Sequence, residues 1–168
     1  NNLDEVAPTI TSADTAAAID ENTGAGQVVY TAIADDSSDV SNGVTFSLSD
    51  DSDSALSIDA STGEVSLTTD PDFETQSQYS FTVIASDGVN ADVEQAVTLD
   101  INNVDEVAPV ITSDSGSSID ENTGAGQVIY TATADDSADN SGGVTYSLVG
   151  GTSYGNDDSD GEPVDTGP

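Results

Sequence analysis

Val44, Phe46 and Leu48 alternate with polar neighbours, as do Tyr79, Phe81, Val83 and Ala85, and again Val97, Leu99 and Ile101. A period of two puts each set on one face of an extended strand. Seven short strands are predicted over the first hundred or so residues: Pro8–Thr11, Gln27–Ala34, Val44–Leu48, Ala55–Ile58, Glu64–Thr68, Tyr79–Ser86 and Val93–Asn102. Ser61-Thr62-Gly63 and Asp87-Gly88 are turn signals between them. No segment carries a helical period. Short strands at this spacing predict an all-β, Greek-key, two-sheet sandwich of a size that can bury its own core.

The pattern then starts again. Asp20 to Val28 recurs unchanged as Asp120 to Val128, and Asn1-Asn2-Leu3-Asp4-Glu5-Val6-Ala7-Pro8 recurs as Asn102-Asn103-Val104-Asp105-Glu106-Val107-Ala108-Pro109. Two landmarks returning at about one hundred residues predict a tandem array of one unit. Repeat 1 covers 1–105, including a remnant of its N-terminal connector, and 106–150 matches only the first three strands of repeat 2. Three strands cannot close a sandwich, so their inner faces are expected to stay wet. Truncation, an inserted domain that splits the repeat, and completion by strands of another chain are the explanations, the first two being favoured. Residues 151–168, rich in Gly, Ser, Asp and Pro, read as a linker or insertion boundary. The chain opens inside a connector and without Met, so a longer parent is expected.

Charge narrows the function. Thirty-three Asp and Glu face no Lys, Arg or His, for a net charge of −33. Without cations the chain has nothing to hold phosphate, which excludes nucleic acid, and an anionic membrane surface would repel it. Imidazole bases, lysine Schiff bases and thiol nucleophiles are all missing from the sequence. Such charge favours disorder, but 35% apolar residues in regular alternation favour a folded protein balanced by metal. Without Cys there is no disulfide, and no apolar run is long enough to span a membrane. No Asn-x-Ser/Thr acceptor occurs, which favours a bacterial source over an animal cell surface.

The acids that recur or sit at strand ends are the candidates for chemistry. In the predicted topology Glu21, Asp72 and Glu74 reach the carboxy-terminal pole of repeat 1, Asn103, Asp105 and Glu106 lie in the connector, and Asp135, Asp136 and Asp139 open repeat 2. They are expected to converge on one junction. Asp4, Asp35, Asp36 and Asp87 would rebuild the preceding junction, with Asp39 beside them in a Ser- and Asn-rich loop. Two carboxylates about 4 Å apart repel by roughly 4 kcal/mol at an effective dielectric near 20. A cluster of them must splay, protonate or bind metal. Carboxylate and carbonyl oxygens without nitrogen or sulfur suit Ca²⁺.

These residues also carry a resemblance. Asp20-Glu21-Asn22, Ala34-Asp35-Asp36, Asp72-x-Glu74, Ala85-x-Asp87-Gly88 and an Asn/Asp connector before Pro resemble the cadherin-repeat pattern. The resemblance implies a cadherin/Ig-like sandwich with Ca²⁺ bound at these positions between successive repeats. Together with Gly-Val-Thr-Phe/Tyr-Ser-Leu, Pro71-Asp72-Phe73-Glu74 and Asn-Asn-Val-Asp-Glu, the set is similar to cadherin-like repeats of giant bacterial RTX-type adhesins, from about Asn1 to Leu148. That implies a type I-secreted, cell-surface, biofilm-type adhesion protein whose monomeric array of repeats extends a terminal or inserted ligand-binding domain. The connector departs from the animal Asp-x-Asn-Asp-Asn form, and repeat 2 has no Asp-x-Glu segment to join Glu121.

Several look-alikes are set aside. Asp165-Thr166-Gly167 copies an aspartic-protease triplet without a second copy, Asn156-x-Asp158-x-Asp160-Gly161 lacks the final Glu of an EF-hand loop, and Gly150–Asp157 is too imperfect for a calcium nonapeptide. The run Asp50, Asp51, Asp53 reads as a solvated loop, and Tyr30, Phe46, Phe73, Tyr79 and Phe81 as packing residues. The expected function is a non-enzymatic spacer stiffened by Ca²⁺, the alternative being direct carbohydrate binding or homophilic cell–cell adhesion. A two-carboxylate glycosidase is disfavoured because the acids map to joints and loops, not to an aromatic-lined cleft.

Overall fold

The structure is a computed structural model describing residues 3–38, 40–41 and 43–150, with the backbone of 154–156 and 163–165. Two compact units divide the chain, Asn1–Val104 and Asp105–Pro168.

The first unit is an all-β sandwich. One sheet has the order β2-β9-β8-β5, from Ile19–Asp20 (β2), Val93–Asn102 (β9), Gln78–Ser86 (β8) and Thr45–Leu48 (β5). The other has the order β3-β7-β6, from Val28–Thr31 (β3), Glu64–Leu67 (β7) and Leu56–Ile58 (β6). A separate pair joins Thr9–Ile10 (β1) to Ala34–Asp35 (β4). The alternation read in the sequence is what the sheets bury. Tyr79, Phe81, Val83 and Ala85 of β8 meet Val97, Leu99 and Ile101 of β9 on the inner face, opposite Val65 and Leu67 of β7. Burying one such aliphatic side chain is worth about 1.5–3 kcal/mol. Tyr30 packs edge-on against Phe81 with ring centroids 5.6 Å apart. Its hydroxyl donates to Ala13 O at 2.6 Å, so the buried phenol is satisfied.

Two strand predictions needed revision. The single run Gln27–Ala34 divides into β3 and β4, because the chain changes sheets at Ala32-Ile33. Ala32 N–H donates to Gly63 O on one side, and Ile33 O accepts from Thr11 N–H on the other, both at 2.8 Å. Strand β2 carries no alternation; it exists because Ile19 and Asp20 pair in parallel with Ile101 and Asn102, far along the chain. The acidic run is also more than solvated loop: Asp53 Oδ2 accepts from Ser80 N–H at 2.7 Å.

The β6–β7 turn obeys local chemistry. Asp59 Oδ1 accepts from the Ser61 and Thr62 N–H groups at 2.8 and 2.9 Å, and from the Ser61 hydroxyl at 2.6 Å. Those donors, led by the Ser61 hydroxyl, lower the Asp59 pKa to about 2. Gly63 closes the turn at φ +73°, where a Cβ would lie 2.4 Å from Ala32 O. Only glycine fits there.

In the second unit, Val110–Ile111 (β10) pairs with Ala134–Asp135 (β11), reproducing β1–β4. Most of residues 106–150 lies exposed, as expected of three strands without a cover. Within the stretch read as linker, the backbones of Tyr154–Asn156 (β12) and Pro163–Asp165 (β13) pair antiparallel. The remainder of 151–168, with most of the set-aside motifs, lies outside the described residues.

Candidate functional site

Among the described residues of the first unit, two groups of three carboxylates form. In each, one ligand oxygen per residue lies within 4.8 Å of the others.

The first is Glu21, Asp72 and Glu74. Glu21 follows β2 and is only 3% exposed. Its two oxygens are held apart by two backbone donors, Phe73 N–H at 2.7 Å and Val104 N–H at 2.7 Å. The two charge-assisted bonds fix the buried carboxylate in place. Asp72 is gathered by Thr75, whose N–H and hydroxyl reach its two oxygens at 3.0 and 2.8 Å. The Asn103 amide donates to Glu74 Oε1 at 2.8 Å. The Pro71-Asp72-Phe73-Glu74 segment thus turns two acids and one N–H toward Glu21, while the start of the connector is tied to the same group.

The second is Asp4, Asp36 and Asp87. Asp87 is buried and caps the turn after β8, accepting at 2.8 Å from both Val89 and Asn90 N–H. The Asn90 amide bridges Asp4 Oδ1 at 2.8 Å and Asp87 Oδ2 at 2.9 Å. That amide, followed by the two N–H donors, lowers the Asp87 pKa. The outer oxygens lack such help. Asp4 Oδ2 and Asp36 Oδ2 are shut off from water and accept no hydrogen bond. A buried acceptor-only oxygen with no donor is costly, and a hard divalent cation satisfies that donor set. The residues fit Ca²⁺.

The other predicted ligands are placed differently. Asp35 sits on β4 with its Oδ1 on Ser37 N–H at 3.0 Å, outside the Asp4 group, and the Ser37 side chain and N–H lower its pKa. Asp39 lies outside the described residues. In the second unit Asp135 accepts from Ser137 N–H at 3.0 Å and has its pKa lowered in the same way. Asp136 takes the Ser141 hydroxyl, and Asp139 accepts from Glu106 N–H at 2.8 Å. Asp105 is exposed. Among the described residues, Asp105, Glu106, Asp135, Asp136 and Asp139 form no group of three acids of this kind. Asn90 was missed in the sequence, although Asp87-Gly88-Val89-Asn90 is a turn in which the fourth residue can reach back to the first.

A family model described as a cadherin domain matches residues 15–102. Mouse cadherin-related family member 2 is 27% identical over 129 residues, 77% of this chain and 10% of that protein. Human cadherin-23 is 27% identical over 138 residues, 80% of this chain and 4% of that protein. The chain therefore spans a tenth or less of these relatives. Among solved structures, human protocadherin-24 EC1-2 superposes with a TM-score of 0.60 at 23% identity, covering 77% of this chain and 59% of the other. Mouse cadherin-23 EC22-24 gives 0.55 at 21%, covering 80% and 44%. At these identities the structural matches speak for the fold alone.

Proposed function

We propose that this chain, which belongs to the cadherin domain family, is a calcium-stiffened spacer of a surface adhesin. Membership makes it an adhesion-related extracellular module, not a member of an enzyme family. No helix among the described residues is long and apolar enough to cross a membrane. The finer reading is ours: an extender from a secreted bacterial RTX-type adhesin, with repeat 1 at 1–105, the first half of repeat 2 at 106–150, and a linker or insertion boundary at 151–168. The motif set from Asn1 to Leu148 and the absence of Lys and Arg support it.

The observation that carries the calcium reading is the pair of buried oxygens, Asp4 Oδ2 and Asp36 Oδ2, facing Asp87 without a donor. Glu21, Asp72 and Glu74 would hold a second ion position, with an oxygen from Asn103, and Asp105 and Glu106 remain proposed contributors because the connector recurs. Asp35, Asp135, Asp136 and Asp139 remain proposed contributors on the strength of their recurrence. When bound, Ca²⁺ supplies the positive charge that this −33 chain lacks. The protein's own part is positional. Val104 N–H on Glu21 and the Asn103 amide on Glu74 couple the start of the connector to the acids, so order at one is order at the other.

Thermal melting with Ca²⁺ and with chelator, at matched ionic strength and with Mg²⁺ as control, tests this. At one hundred times Kd a single site adds about 2.7 kcal/mol, raising Tm by roughly 10–20 °C in a domain of this size. Solution scattering should show a narrower range of shapes with Ca²⁺. Equal Tm and equal scattering in both conditions would refute the proposal.

A further inference from the structure

Carboxylates as close as those of Asp4, Asp36 and Asp87 repel one another until an ion joins them. Gathering them beforehand requires donors from the protein itself. One side chain supplies two. An amide nitrogen carries two protons, and Asn90 Nδ2 donates to Asp4 Oδ1 at 2.8 Å and to Asp87 Oδ2 at 2.9 Å. Asp87 belongs to the same turn as Asn90, but Asp4 lies 86 residues away, in the connector. The turn itself is closed by backbone donors, Val89 N–H and Asn90 N–H on Asp87 Oδ1. The Asn90 side chain is therefore left to tie the connector to the sandwich.

The opposite end of the unit makes the same kind of tie with the roles exchanged. There the connector brings the donors, the Asn103 amide on Glu74 at 2.8 Å and Val104 N–H on Glu21 at 2.7 Å. Asn103-Val104-Asp105 recurs as Asn2-Leu3-Asp4. In this one motif Asn103 donates to the sandwich before it, and Asp4 accepts from the sandwich after it.

We propose that Asn90 is a positioning residue of the Asp4, Asp36 and Asp87 calcium position. Its amide docks the connector acid against the turn before the ion arrives, and so sets how tightly the ion is held. Asp4 Oδ2 and Asp36 Oδ2 stay open as acceptors beside Asp87. Without the amide, binding must also order the connector, which weakens it. Partners that orient metal ligands are worth roughly 10–100-fold in affinity. The affinity half of this inference rests on the calcium reading above; the docking half does not. Asn90→Asp separates positioning from direct ligation at constant size. It removes the donor and adds an anionic oxygen, so positioning predicts weaker binding and ligation predicts equal or tighter binding.

A residue-resolved NMR titration of the full chain with Ca²⁺ tests this. The Val89 N–H signal, on Asp87, reports this position, and the Phe73 N–H signal, on Glu21, reports the other. Asn90→Asp and Asn90→Ala should each move the Val89 midpoint to at least about tenfold higher Ca²⁺ and leave the Phe73 midpoint in place. In chelator, the backbone order parameter of Asp4 should fall from about 0.85 to below about 0.6 in both variants. Should a turn variant misfold, Asp4→Ala breaks the same bond from the connector side and should loosen residue 4 equally. An unmoved Val89 midpoint, tighter binding by Asn90→Asp, or an unchanged order parameter would each overturn the proposal. A wrong calcium reading looks different: neither signal of the unaltered chain responds to Ca²⁺, and the order parameter alone decides the docking.

Discussion

The nine residues Asp20–Val28 and Asp120–Val128 are identical, yet Glu21 is buried between two N–H donors whereas Glu121 stands exposed. The same contrast runs through the flanking apolar positions. Tyr30 is 9% exposed and Tyr130 45%; Phe46 is 9% exposed and Tyr146 54%. Local conformation nonetheless repeats. Gly24 and Gly124 have φ of 91° and 86°, and Asp35 and Asp135 meet Ser37 and Ser137 alike. Turns and caps are closed by neighbours in sequence and survive without a core. Burial needs strands from thirty-five or more residues away, such as Val65 on Tyr30 and Val83 on Leu48, and no such pairing forms among the described residues of the second unit.

Leucine truncation should break the comparison most plainly. Leu99→Ala removes a fully buried side chain and should cost about 2–5 kcal/mol. Leu148→Ala, at a fully exposed position, should stay within about 0.5 kcal/mol. Urea midpoints measure both, and equal losses would mean that the second unit has a hidden core.

Glutamate removal is next in size. Glu21→Ala strands the part-buried Phe73 and Val104 N–H groups, which should cost about 1–3 kcal/mol in all, and should also reduce the calcium-induced rise in Tm. Glu121→Ala should do neither. Differential scanning calorimetry with and without Ca²⁺ reads both effects. A stability loss from Glu121→Ala would show that this glutamate has partners in solution.

Acid titration gives the smallest and most local effect. Asp59 is lowered to about 2 from 3.8 by the Ser61 and Thr62 donors. Because the folded pKa is the depressed one, its stabilising contribution is full above about pH 4 and fades as pH falls toward 2. Asp59→Asn should flatten that part of the pH profile of the urea midpoint. Asp35 and Asp135 are both shifted down by their serines, so carboxyl NMR titrations should find the two displaced alike. A large difference between them would show that the loop geometry depends on the core after all.

Much of this was legible in the residues. Alternation in Tyr79–Ala85 and Val97–Ile101 marked the inner strands, since a pleat exposes only two faces. Recurrence at a hundred residues marked a second copy of the opening pattern, and its three strands without partners agree with the exposure of most of residues 106–150. Glu21, Asp72, Glu74, Asp36 and Asp87 were named as acids that recur or sit at strand ends, and Asp4 as the connector acid of the preceding junction. Their division into two groups was legible too, but the bonds that set it were not. Nothing local tells Asp36 from Asp35, because the two differ only in the direction their side chains take from the end of β4.

The chain by itself determined what depends on near neighbours and on composition: turn type, strand face, net charge and the need for a counter-ion. Tertiary structure alone decided which copy of an identical segment became core, where the run from Gln27 changed sheets, and that Val104 N–H would close on Glu21. Each of those rests on a contact between residues distant in sequence. Such contacts form only when enough apolar surface is buried to offset the entropy of bringing them together.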